Sequence, residues 1–169
     1  MAEEIINRVA QSKLKTIDLE DYYPAGNRFL IDVKDWLFEG FILKEKEYRE
    51  ALKNHDWSQY QDGFVAITCT SDAIIPAWAF LLITTYLKDI AEKVISGTLI
   101  DLEQAIFQEI ITEIDVEQYR DLPVIVKGCS SKPIPDSAYV QLTHKLIPVV
   151  KSLMYGEACS AVPLFKRRN

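Results

Sequence analysis

Two kinds of apolar pattern alternate along this chain. Near-continuous apolar runs of strand length stand at Phe64-Val-Ala-Ile-Thr68 and Pro123–Lys127. Runs of this kind suit strands covered on both faces. Around them, apolar residues recur at helical spacing. Pro76 opens a predicted helix to about Glu92, and Pro135 opens one to about Tyr155, because proline fits a first helical turn. Pro148 is expected to kink the second, since it removes a donor and crowds the preceding turn. Asp101 is the expected cap of a helix from Leu102 to about Ile114. Lys93–Ile95 reads as a short strand, and Gly156–Phe165 as a turn and an extended segment.

The first third is less regular. Glu3–Gln11 reads as an amphipathic helix, with Ile5, Ile6, Val9 and Ala10 on one face. Thr16–Leu19 and Phe29–Val33 are predicted strands, and Lys34–Phe38 is a predicted single helical turn. Lys44–Asn54 is a charged helix that turns Tyr48 and Leu52 inward. The alternation of strand and helix from Phe64 onward implies right-handed crossovers and parallel pairing. The expected fold is therefore α/β: one domain over residues 1–169, in three layers. A largely parallel sheet carries helices on both faces, and the N-terminal strands and helix lie at the edge. Strand order is not encoded in the pattern.

Composition narrows the function classes. Apolar residues make up 49% and charged residues 26%, which is ordinary for a globular protein. The net charge of −6 disfavours nucleic-acid binding, which calls for a basic face. The longest apolar stretch, Ala73–Tyr86, is too short to span a bilayer. No signal-type segment is present, so a cytoplasmic location and no membrane are expected. An odd number of cysteines, three, argues against a disulfide framework.

Those three cysteines carry the candidate chemistry. Each precedes a hydroxyl residue: Cys69-Thr70, Cys129-Ser130 and Cys159-Ser160. The first two close predicted strands and precede a helix-opening proline. In open α/β proteins, sites lie at the carboxyl ends of strands. A thiolate there would also gain from a helix N-terminus. Aligning Cys69 with Cys129, an offset of 60, makes the two stretches resemble each other, with Ser71 opposite Ser131. Thr70, Ser71, Ser130, Ser131 and Lys132 are the candidate donors to sulfur or to a bound anion.

Three thiolates from separate loops suit zinc or an iron–sulfur cluster, with Asp72, Glu157, His55 or a substrate completing the set. The metal-free form is a reactive thiol that carries sulfur. Cys129 is the expected reactive group, since Gly128 permits close approach and Lys132 is near. The opposing reading is that the thiols fill space, because free cysteine is among the most buried residue types. His55 and His144 read as surface or capping residues, and Trp36, Trp57 and Trp78 as core. No glycine-rich phosphate loop follows either strand, which argues against nucleotide binding.

Five segments together resemble a known family. They are Asp35-Trp-Leu-Phe-Glu-Gly-Phe-Ile-Leu-Lys-Glu-Lys46, His55-Asp-Trp57, Cys69-Thr-Ser-Asp-Ala-Ile-Ile-Pro-Ala-Trp78, Lys127-Gly-Cys-Ser130 and Tyr155-Gly-Glu-Ala-Cys-Ser160. They are similar to uncharacterised Bacteroidetes proteins grouped as domain of unknown function 2480, over nearly the whole chain. The resemblance brings no activity and no site residues. Members of that family are encoded beside iron–sulfur cluster assembly genes of the sulfur-mobilisation type. That context implies an accessory role in sulfur or iron–sulfur metabolism, with iron–sulfur assembly proteins as partners. The alternative is a non-enzymatic interaction or scaffold protein with inert buried cysteines. A small-molecule enzyme that holds an anion at the strand-to-helix turns is a third reading.

Overall fold

The computed structural model describes residues 13–157 and 159–168. The helix expected over Glu3–Gln11 lies outside the described residues. The chain forms two compact units. An inserted unit spans Pro24–Ala105, and a split unit combines Met1–Tyr23 with Ile106–Asn169.

The inserted unit holds strand β2 (Arg28–Asp32), helix α1 (Glu45–Asn54), strand β3 (Phe64–Thr68), helix α2 (Ala77–Leu87) and strand β4 (Lys93–Ser96). Its sheet runs β2-β3-β4, with both pairings parallel. The apolar run of β3 takes the central place, and Phe64, Val65, Ala66 and Ile67 are all buried. Tyr48 and Leu52 of α1 pack with Ala79, Ile83 and Leu87 of α2 against Ile31, Val65 and Ile67. The Tyr48 hydroxyl, fully buried, donates to the Ala79 carbonyl at 2.9 Å. Replacing Tyr48 by Phe is expected to lower stability by about 0.5–1.5 kcal/mol, because the carbonyl loses a buried partner. Chemical denaturation followed by tryptophan fluorescence reads this directly, since Trp36, Trp57 and Trp78 all lie in this unit.

The split unit starts with strand β1 (Lys15–Ile17) and resumes within helix α3 (Leu99–Glu113). Strand β5 (Pro123–Val126), helix α4 (Asp136–Leu146) and strands β6 (Ser152–Tyr155) and β7 (Val162–Lys166) follow. The sheet order is β1-β5-β6-β7; only the last pairing is antiparallel. Ile17, Val124, Val126 and Leu153 meet Phe107 and Ile111 of α3 and Ala138, Leu142 and Leu146 of α4.

The protein is thus α/β with mainly parallel pairing, and β1 and β2 each take a sheet edge. The strands divide between two sheets, which apolar pattern alone does not foretell. The last helix stops at Leu146 rather than continuing to Tyr155. Pro148 ends it, and Ser152–Tyr155 becomes β6. Thr98, not Asp101, starts α3: Asp101 accepts from the Thr98 amide at 2.7 Å, and its own amide donates to the Thr98 hydroxyl at 3.3 Å.

The two units repeat one plan at a spacing of 59 residues. Asp56, Gln59, Tyr60 and Asp62 recur as Asp115, Gln118, Tyr119 and Asp121. Gln59 and Gln118 each donate to the carbonyl three residues earlier, both at 2.7 Å. Asp62 and Asp121 both adopt left-handed backbone, at φ 54° and 58°. Their amides donate to Ile90 and Val149, again 59 apart. Gly97 and Gly156 follow β4 and β6 with φ of 147° and 116°, and donate to Ile67 and Val126 at 2.9 Å. Helices α2 and α4 hold the same register, with Ala79, Ile83 and Leu87 answering Ala138, Leu142 and Leu146.

Candidate functional site

The repeat fixes which loop residues correspond. At a spacing of 59, Ser71 answers Ser130, and both hydroxyls accept from the amide two residues on, at 3.2 and 3.0 Å. Cys69 therefore answers Gly128, and Thr70 answers Cys129. The offset of 60 that pairs the two cysteines is corrected by one residue. A volume exchange explains the difference. A Cβ on Gly128 would stand 2.8 Å from the Tyr155 ring. The counterpart of Tyr155 is Ser96, so the smaller neighbour goes with the larger loop residue.

In the inserted unit, the loop after β3 is tied to the end of β2. Asp32 accepts from the Thr70 amide at 3.1 Å and from its hydroxyl at 2.5 Å. Burial pushes the Asp32 carboxyl up, but the bonds from Thr70 and the Lys34 amide outweigh it and hold the group below its ordinary value. Ser71 donates to the Gly40 carbonyl at 2.6 Å. Cys69 is half-buried, packs against the core of this unit and points its thiol to the Ser71 carbonyl at 3.9 Å.

In the split unit, the corresponding loop is tied differently. Glu20 accepts from the Ser130 hydroxyl at 2.9 Å and from the amides of Ser131 and Lys132. The Ser130 hydroxyl, then the Ser131 amide, bring the Glu20 carboxyl down to about 2. Asp18, the counterpart of Asp32, accepts from Lys127 Nζ at 2.7 Å. That bond raises the Lys127 ammonium above its ordinary value. Cys129 and Cys159 are exposed.

The expected site residues thus fall into two groups. Cys69, Thr70 and Ser71 belong to the inserted unit; Cys129, Ser130, Ser131, Lys132 and Cys159 belong to the split unit. The hydroxyls of Thr70, Ser71 and Ser130 already serve the chain's own acceptors, Asp32, Gly40 and Glu20, and Ser131 and Lys132 give their backbone amides to Glu20. Helices α2 and α4 begin at Ala77 and Asp136, a loop beyond the cysteines. A helix dipole acts within its first turn, so the thiols are not set by it. Among the described residues, no group of three or more His, Cys, Asp or Glu side chains is placed to hold a metal ion.

His55 contacts the Tyr60 hydroxyl at 3.0 Å within a ring of Trp36, Trp57 and Tyr60. His144 lines an apolar groove with Ile111, Val140 and Pro148. Sequence reasoning missed Asp18, Glu20 and Lys127. Each meets its partner across about a hundred residues of chain, and the only signal was their position beside strand ends.

Glu20 yields a testable pH dependence. Its folded value lies near 2 against about 4.5 for the free group, so its contribution is complete above about 4.5 and vanishes as pH falls toward 2. The Ser131 and Lys132 amides should lose hydrogen-exchange protection over that window. Glu20→Gln should remove the pH dependence.

Fold and site together define a class: an α/β protein of two repeated units, with exposed thiols at the strand ends of one. The chain belongs to the family described as "Protein of unknown function (DUF2480)", whose model matches residues 3–167. No curated protein and no solved structure matches the chain. Among the described residues, no helix is long and apolar enough to cross a membrane.

Proposed function

We propose that the protein is a cytoplasmic accessory protein of sulfur or iron–sulfur metabolism that works through the exposed thiols of its split unit. One observation carries this reading. Cys129 and Cys159 follow the paired strands β5 and β6 and are both exposed, whereas Cys69 is half-buried. Sulfur carriage is favoured over metal ligation by all three cysteines, because among the described residues no group of three or more His, Cys, Asp or Glu side chains is placed to hold a metal ion.

Cys129 is the acceptor in this reading. Its thiolate attacks the outer sulfur of a partner's persulfide. The partner's S–S bond breaks, the partner thiolate leaves, and Cys129 holds the sulfane sulfur. The transfer needs no external oxidant. Iron–sulfur assembly proteins are the proposed partners.

Treating the native protein with glutathione persulfide, followed by peptide mass spectrometry, tests the reading. Sulfane sulfur should collect on Cys129 and be absent in Cys129→Ser. Sulfur on no cysteine, or on Cys69 in preference to Cys129, would overturn it.

The interaction-protein reading draws on a different observation. Phe41 and Ile74 of the inserted unit are 64% and 98% exposed. Isolated exposed apolar residues are common, so they add little weight.

A further inference from the structure

One strand of the repeated plan has no counterpart. The order β2-β3-β4 of the inserted unit answers β1-β5-β6 of the split unit, where the antiparallel β7 then covers the outer edge of β6. Among the described residues, no strand pairs with the corresponding edge of β4. An open strand edge is a row of backbone donors and acceptors ready to pair. Burial differs accordingly. Val150 and Leu153 are fully buried, and Phe165 of β7 stands opposite Leu153 and packs against that core. Their counterparts Ala91 and Val94 are only half-buried. They line a groove of about 390 Å³ together with Thr84, Leu87, Lys88 and Lys93.

The groups that receive β7 in the split unit persist beside β4. Arg167, just past β7, binds the Asp121 carboxylate and donates to the carbonyls of Pro148 and Val149 at 3.1 and 3.0 Å. Its amide donates to the Lys151 carbonyl at 3.0 Å. At the spacing of 59, these four acceptors are answered by Asp62, Asp89, Ile90 and Glu92. The Asp62 amide donates to the Ile90 carbonyl at 2.8 Å, as the Asp121 amide does to Val149 at 3.0 Å, so the two sockets share a backbone frame. The Asp62 carboxylate is exposed and accepts from its neighbour Gln61 at 2.8 Å. Asp89 and Glu92, also exposed, stand where the split unit has Pro148 and Lys151. The socket positions of the inserted unit therefore carry carboxylates at Asp62, Asp89 and Glu92, a charge that suits a cationic side chain.

We infer that the outer edge of β4 docks an extended segment of a partner protein, laid antiparallel as β7 lies on β6, with an apolar residue two places before an arginine. The apolar side chain fills the groove beside Val94, as Phe165 meets Leu153. The arginine reaches Asp62 and the carbonyls of Asp89 and Ile90, and charge-assisted bonds from a guanidinium to a carboxylate are among the stronger ones. Backbone pairing supplies the affinity of such docking, and the side-chain sockets supply its selectivity. This edge involves none of the cysteines, so it stands or falls apart from the sulfur-carrier reading.

The probe is a fluorescent peptide of residues 161–168, Ala-Val-Pro-Leu-Phe-Lys-Arg-Arg, titrated onto the full chain, whose own β7 already occupies β6. Saturable binding is expected, with a gain of hydrogen-exchange protection in Lys93–Ser96. Asp62→Asn should weaken binding several-fold. Asparagine tolerates the left-handed backbone at this position, φ 54°, so the fold is kept. Arg167→Ala in the peptide should weaken binding to a similar degree, and the two changes together should cost little more than either alone. Absence of saturable binding, fully additive losses, or protection confined to Ser152–Tyr155 would overturn the proposal. So would full protection of every Lys93–Ser96 amide in the chain without peptide. Protection that rises with protein concentration would assign the edge to a second copy, and constant protection would assign it to the chain's own residues.

Discussion

Replacing Glu103 by alanine is expected to destabilise the inserted unit by about 3–5 kcal/mol, the range seen when one partner of a buried ion pair is removed. Glu103 is 7% exposed and is the buried charged side chain among the described residues. Arg28 Nε donates to it at 2.7 Å, and the two side chains are 14% and 9% exposed. The guanidinium also donates to the carbonyls of Pro24 and Gly26 and lies over the Phe64 ring at 4.7 Å. Alanine would leave this charge covered and without its carboxylate. A lowered urea midpoint with unchanged slope, followed by tryptophan fluorescence, is the expected result. Glu103→Ala combined with Arg28→Met should recover part of the loss. A single variant within experimental error of the parent would show that water reaches the pair.

The second large effect separates chemistry from stability. Cys129→Ser should abolish sulfur acceptance yet change unfolding free energy by no more than about 0.5 kcal/mol, as surface substitutions usually do. Cys129 is exposed, and its loop is held by Glu20 through Ser130, Ser131 and Lys132 rather than through sulfur. Cys69→Ser should behave in the opposite way. Its thiol packs against the core of the inserted unit, so the polar hydroxyl should lower stability by about 1–2 kcal/mol while sulfur acceptance persists. Thermal unfolding and sulfane transfer measured on the same two variants check both halves. Equal behaviour of the two variants would remove the distinction between their loops.

The sequence made some of this legible. The runs at Phe64 and Pro123 announced β3 and β5 because a central strand, covered on both faces, has little polar surface to interrupt it. Pro76 and Pro135 marked the starts of α2 and α4. Strand β6 is hidden because Val149-Val150 and Leu153-Met154 also fit a helical face, and Pro148 fits a kink in a helix as well as its end. The repeat was half seen. Matching cysteines gave 60, whereas Asp56-x-x-Gln-Tyr-x-Asp62 and Asp115-x-x-Gln-Tyr-x-Asp121 give 59. Chemically conspicuous residues misled there, because Cys69 and Cys129 occupy successive positions of the repeated loop. The division into two sheets depends on pairing partners, which alternating patterns do not specify. Glu20 and Lys127 stand out in the sequence only by their places beside strand ends, since what makes them useful is the chain that folds back onto them.

Cysteine-resolved alkylation of the native protein probes the account most directly. With limiting iodoacetamide at neutral pH and peptide mass spectrometry, Cys129 and Cys159 should label well before Cys69. Labelling of all three at one rate, or of Cys69 first, would contradict the assignment of the working thiols to the split unit.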